Sequence, residues 1–190
     1  MKTFIDRRIF SMKIKLILIV ICSFSPLLLL GLFIYGNAYY NDYHLKSSET
    51  TVKEFLEEFI DNSIQIMHFE RIEETNMWLV QLKINDSQYG HARFNKGWNG
   101  KLKFIYLATD PSETYRQYKT NKGNYGTLYV HELDSNVAKI QLTTNWMNFE
   151  KEVEVDTSAP FMKTFKLPPD AEDTFPAIFT FYDTTGQELR

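Results

Sequence analysis

The residues best suited to chemistry cluster in one stretch, Tyr89–Lys103. It holds His91, Arg93, Lys96, Lys101 and Lys103, with Trp98 among them and no carboxylate. On an extended strand Tyr89, His91 and Arg93 share a face. Asn99-Gly100 is a strong hairpin signal, because both positions tolerate the positive φ of a tight turn. A basic loop with an indole at its tip can grip an anionic partner or a sugar ring, or rest against lipid headgroups. The competing expectation is a solvated turn whose Trp98 folds back onto the sheet. Trp98, Arg93, Lys96, Lys101 and His91 are the binding candidates.

Other chemistry is thinly represented. The four histidines are His44, His68, His91 and His131. None has a second ligand-type residue at a zinc-site spacing, so no metal ligand is assigned. The G-x-S-x-G, S-x-x-K and glycine-rich phosphate-loop patterns are absent, and no catalytic residue or cofactor is assigned. Carboxylates at Glu73-Glu74 and Asp170/Glu172/Asp173 read as solvated loops. A glycosidase-type pair needs proximity in space rather than in sequence, and stays open. Trp146, Met147 and Phe149 form a second aromatic cluster, expected to cap a β core, or alternatively to form a binding surface between lobes.

The elements that carry these residues begin with an apolar run. Residues 1–15 carry Lys2, Arg7, Arg8, Lys13 and Lys15 against Asp6, a net of +4, and residues 16–35 carry no charge. At ~1.5 Å per residue, twenty residues cover the ~30 Å hydrocarbon layer. A transmembrane helix is therefore expected over residues 16–36, acting as a signal anchor that puts the chain in the lipid bilayer. Pro26 is tolerated in a span. Tyr35, Tyr39 and Tyr40 sit at the expected membrane interface. Five basic residues precede the run and only Lys46 follows within fifteen residues. The positive-inside rule then places the basic tail in the cytoplasm and the C-terminal part outside, at a cell membrane crossed once. Cleavage after Ala38 is the alternative, disfavoured by the length of the run. The lone cysteine, Cys22, lies inside the apolar run and lacks a lipobox. The displayed part, without disulfides, fits a bacterial cell envelope. It sums to −7, which argues against nucleic acid or anionic lipid as its main partner.

Residues 37–46 read as a stalk. Residues 47–109 read as an α+β lobe. Val52, Phe55, Leu56, Phe59 and Ile60 form one helical face within Ser47–Asp61, with caps available at Ser47, Ser48 or Thr51. Strands follow at Ile64–Glu70, Met77–Ile84, Gln88–Phe94 and Leu102–Ala108, with a turn at Asn85-Asp86-Ser87. This helix-plus-meander is similar in element order to cystatin-like and PepSY-like modules. Asp110-Pro111-Ser112-Glu113 has the form of a helix start, so 110–123 is expected to be a short helix joining two lobes. Residues 124–190 read as a small all-β, sandwich-like lobe with strands at Thr127–Glu132, Val137–Thr144, Glu150–Val155, Phe161–Leu167 and Phe175–Tyr182.

The expected fold is α+β. The expected function is a membrane-anchored extracytoplasmic interaction or binding module, accessory or regulatory and non-enzymatic, with a membrane or cell-envelope protein as partner. The alternatives are a cell-envelope hydrolase with an acid/base pair assembled by folding, and a small-ligand binder using a groove between the lobes.

Overall fold

A computed structural model describes residues 26–144, 149–155, 160–171 and 174–189. The chain divides between His44 and Leu45 into two units. In the first, residues 26–42 are helical (α1). Residues 16–25 of the expected span lie outside the described residues, as do Cys22, Trp146 and Met147. Among the described residues no helix is long and apolar enough to cross a membrane. The stretch expected as an irregular stalk continues the helix to residue 42. Tyr35, Tyr39 and Tyr43 recur at the i, i+4 spacing that stacks side chains along a helix. Their rings lie 6.3 Å (Tyr35–Tyr39) and 4.5 Å (Tyr39–Tyr43) apart.

The second unit, Leu45–Arg190, is α+β with antiparallel sheets. Helix α2 spans Glu49–Ile60. Ser48 caps it, its hydroxyl accepting from Thr51 N, and Asp61 ends it in the left-handed conformation. Val52 and Leu56 are buried, and the Phe59 ring reaches Phe104 at 4.8 Å. Strands β1 (Ile64–Arg71), β2 (Met77–Ile84), β3 (Gln88–Lys96) and β4 (Leu102–Asp110) form the first sheet in sequence order. The β2–β3 turn bends at Asn85 and Asp86, both with positive φ.

Period-2 alternation gives this sheet two different faces. Val80, Leu82, Ile84, Ala92, Phe94 and Leu102 pack with α2 in one core. Met77 and Leu79 face the other way, onto the second sheet.

The second sheet contains β5 (Glu113–Thr120), β6 (Gly123–Val130) and β9 (Phe161–Lys166), in the order β5-β6-β9. The third contains β7 (Lys139–Thr143), β8 (Glu150–Glu154), β10 (Ile178–Tyr182) and β11 (Glu188–Leu189), in the order β11-β10-β7-β8. The second sheet is covered on both sides. Tyr125 and Tyr129 of β6 pack on Met77 and Leu79, while Leu128 and Val130 pack on Ile140 and Leu142. Buried strands read as continuous runs rather than alternations, and β6 is buried from Tyr125 to Val130.

The expected helix at 110–123 is replaced by β5. Its Thr114, Tyr115 and Tyr118 are buried, and every residue from Glu113 to Thr120 is in register with β6. A β-branched and aromatic strand with partners on both faces outweighs the local capping signature. Asp110 caps nothing; it is the last residue of β4.

Candidate functional site

The face of the first sheet turned toward the second is unusually polar. Gln81 comes from β2, His91 and Arg93 from β3, and Tyr106 and Asp110 from β4. Opposite them stand Arg116 and Tyr118 of β5, Tyr129 of β6, and His131 just beyond its end. Gln81 and His91 are fully buried and His131 is nearly so.

Asp110 is the centre. His91 Nδ1 lies 2.7 Å from its Oδ2, and His131 Nε2 lies 3.3 Å from the same oxygen. Arg116 approaches Oδ1 at 4.0 Å. Burial pushes the Asp110 carboxyl up, but the hydrogen bonds from His131 and His91, and the pull of the two rings, outweigh it; the group sits below the ordinary carboxylate value. Gln81 Nε2 donates to the Val130 carbonyl (2.8 Å) and to His131 Nδ1 (3.0 Å). Both amide protons are thereby used, and His131 carries its proton on Nε2, toward Asp110. The imidazoles are also held by rings: His91 stacks on Tyr129 at 4.7 Å and His131 on Tyr89 at 4.8 Å.

A second polar thread runs beside this cluster. The Tyr106 hydroxyl donates to Tyr118 (3.1 Å), whose oxygen is 2.8 Å from that of Tyr129. Burial raises the Tyr118 and Tyr129 phenols well above the ordinary tyrosine value. Among the described residues no group of three or more histidines, cysteines or carboxylates could hold a metal ion. The rings and the carboxylate bond to one another instead.

The structure separates the five binding candidates. His91 lies in the buried cluster, not on the hairpin surface. Arg93 is half-buried, its guanidinium 6.0 Å from the Tyr118 ring. Tyr89, His91 and Arg93 do share a face, but that face is covered by the second sheet. Lys96, Lys101 and Trp98 stay at the tip. Lys96 Nζ lies 5.9 Å from the Trp78 ring. Lys101 N donates to Asn99 Oδ1, and Gly100 takes φ +77°. Trp98 is 71% exposed, so it does not fold back into the sheet.

Sequence reading missed Gln81, Asp110, Tyr118, Tyr129 and His131. The usable signal was the aromatic and β-branched density on either side of Asn121-Lys122-Gly123, the turn that joins β5 to β6.

A groove opens where the second and third sheets meet. Its volume is about 260 Å³. Leu133, Val137, Phe181 and Leu189 make its apolar walls, and Glu113, Glu132 and Asp134 supply carboxylates. The Tyr89 hydroxyl, stacked over His131, donates to Glu132 at 3.0 Å.

Compared with models of known families, with curated proteins and with solved structures, the chain matches none.

Proposed function

We propose that the chain is a membrane-anchored extracytoplasmic binding module, accessory to a membrane or cell-envelope protein. One observation carries the anchor. In α1 the side chains of Leu27 to Leu30, Leu32, Phe33, Ile34 and Tyr35 are all between 55% and 71% exposed. Water disfavours so large a contiguous apolar surface, and lipid is the environment that covers it. The uncharged run over residues 16–35 and the +4 tail before it agree in length and orientation.

The module reading also takes support from how the reactive groups are used. Asp110 holds His91 within the first sheet and His131 across to the second, while His91 Nε2 and Asp110 Oδ1 are buried without a hydrogen-bond partner among the described residues. The α2-backed meander β1-β2-β3-β4 fits the cystatin-like or PepSY-like order; the sandwich-like reading of residues 124–190 has to be widened to take in β5, which begins at Glu113.

The test is topological. With the full chain made in a bacterial cell, a carbonate wash should leave it in the membrane pellet. Protease added outside spheroplasts should remove a C-terminal tag and spare an N-terminal one. A soluble product beginning after Ala38, or a protected C-terminal tag, defeats the proposal.

A second reading, a small-ligand binder, is favoured by the groove. Its volume lies just below the ~300–1,000 Å³ typical of small-molecule pockets. Its apolar walls and three carboxylates suit a small organic cation. Calorimetric titration with alkyl amines of increasing length should show saturable heats that vanish in Glu113→Gln/Asp134→Asn. Equal heats in that variant would remove this reading.

A further inference from the structure

The tip of the β3–β4 hairpin is fastened to the start of the folded unit. Leu45 and Leu102 exchange both backbone hydrogen bonds, at 3.2 and 2.8 Å. The Ser47 hydroxyl donates to the Gly100 carbonyl at 2.9 Å. Helix α1 ends at residue 42, so only two residues separate it from Leu45. Fully extended, the step from 42 to 45 reaches at most ~11 Å. If the span ends near Gly36, the helical stretch 37–42 adds about 9 Å. The covalent chain alone therefore keeps Leu45, and the tip bonded to it, within roughly 20 Å of the point where the chain leaves the hydrocarbon.

The chemistry at that place differs from the rest of the displayed part. Residues 87–109 contain Arg93, Lys96, Lys101 and Lys103 and no Asp or Glu, whereas the part after the span carries −7. Glu49, two residues after Ser47, offsets part of this positive charge. Trp98 stands out from the turn at 71% exposure. Indole rings favour the membrane–water boundary, where an apolar body and a polar N–H are both satisfied. Lysines near an anionic leaflet are drawn to it over about one Debye length, ~8–10 Å.

We propose that the β3–β4 tip is a second membrane contact. Trp98 seats at headgroup level, and Lys96, Lys101 and Lys103 face anionic headgroups, so the folded unit is held down on the bilayer rather than swinging on its tether. This rests on the anchored reading above, and the experiment separates the two.

The full chain is reconstituted into vesicles of phosphatidylcholine and phosphatidylglycerol, with the phosphatidylcholine brominated near the headgroup end of its acyl chains. Trp98 is one of three tryptophans. Wild-type emission should be quenched relative to unbrominated vesicles, and the part due to Trp98 should vanish in Trp98→Phe. Quenching should also fall in K96E/K101E/K103E and in vesicles of phosphatidylcholine alone. Carbonate extraction of the same vesicles reads the anchor independently. Release of the chain defeats the anchored reading. Retention with equal quenching in wild type and Trp98→Phe defeats the second contact alone. A Trp98 emission shift on adding a soluble anionic glycan, without quenching by lipid, reassigns the tip to a soluble anion and overturns the proposal. Because Trp98 is exposed, Trp98→Phe should leave the thermal midpoint unmoved; the charge-reversal variant, which keeps the indole, gives the same answer by a second route.

Discussion

Gln81 decides the chemistry of the buried cluster, because its amide donates both protons across the seam between two sheets. Replacing it with Leu strands the Val130 carbonyl and His131 Nδ1 in an apolar setting. Each stranded group costs about 1–3 kcal/mol, so Gln81→Leu should lose roughly 2–6 kcal/mol in denaturant titration; a midpoint within error of wild type would show that the seam does not depend on it. Asp110 adds a pH signature. Its folded value lies below its unfolded one, so its contribution is complete above about pH 4 and drains away as pH falls through the lowered folded value. Asp110→Asn should be weaker at neutral pH by about 3 kcal/mol, since two buried imidazoles lose their charged acceptor. It should also lose less stability than wild type on acidification. Parallel stability–pH curves for the two proteins would refute this. Little of the cluster was legible in the sequence. The shared face of Tyr89, His91 and Arg93 follows from strand geometry alone. That this face is buried does not, because its cover, the β5–β6 hairpin, docks on it through contacts distant in sequence. Asp110 shows the same limit: its spacing to Pro111 and Glu113 suits a helix cap, yet its partners stand nineteen and twenty-one residues away.

At the scale of elements, local pattern worked where the apolar period was clean. The face Val52, Phe55, Leu56, Phe59 and Ile60 specifies α2, and the alternation through Trp78, Val80, Leu82 and Ile84 specifies β2 residue for residue. It failed at β5, whose two faces meet different sheets, so neither alternation nor helical period is clean. Two glycines show how closely these strands approach. A Cβ on Gly90 of β3 would come within 2.5 Å of the Ala108 carbonyl oxygen on β4. A Cβ on Gly126 of β6 would meet the Tyr115 hydroxyl at 2.5 Å and Phe165 at 2.9 Å. The first obstacle is backbone and cannot rotate away; the second is side chain and can yield. Gly126→Ala should therefore cost about 1–3 kcal/mol, the usual range for overpacking, and Gly90→Ala more. Combining Gly126→Ala with Tyr115→Ala should cost less than the sum of the two, because the clash and the ring are removed together. Additive losses, or a milder effect at Gly90, would contradict this account when read from equilibrium unfolding.

At the scale of the whole molecule, charge was legible and layering was not. The +4 tail, the neutral run and the −7 remainder can be counted from the sequence, but the sheet that joins the two expected lobes cannot be seen until β5 is recognised as a strand. That sheet has a consequence for folding. Its Tyr125 and Tyr129 belong to the core shared with the first sheet, and its Leu128 and Val130 belong to the core shared with the third. Neither neighbour can unfold without exposing one face of β6. Leu56, under α2, and Ile140, in the third sheet, are both fully buried and lie in cores on opposite sides of this arrangement. Leu56→Ala and Ile140→Ala should each cost about 2–5 kcal/mol. Because β6 couples the layers, both should lower one and the same transition, seen identically by hydrogen exchange of the α2 amides and by hydrogen exchange of the β7 and β10 amides. Two independent lobes would behave otherwise: Ile140→Ala would split the transition and leave the α2 amides exchanging as in the wild type.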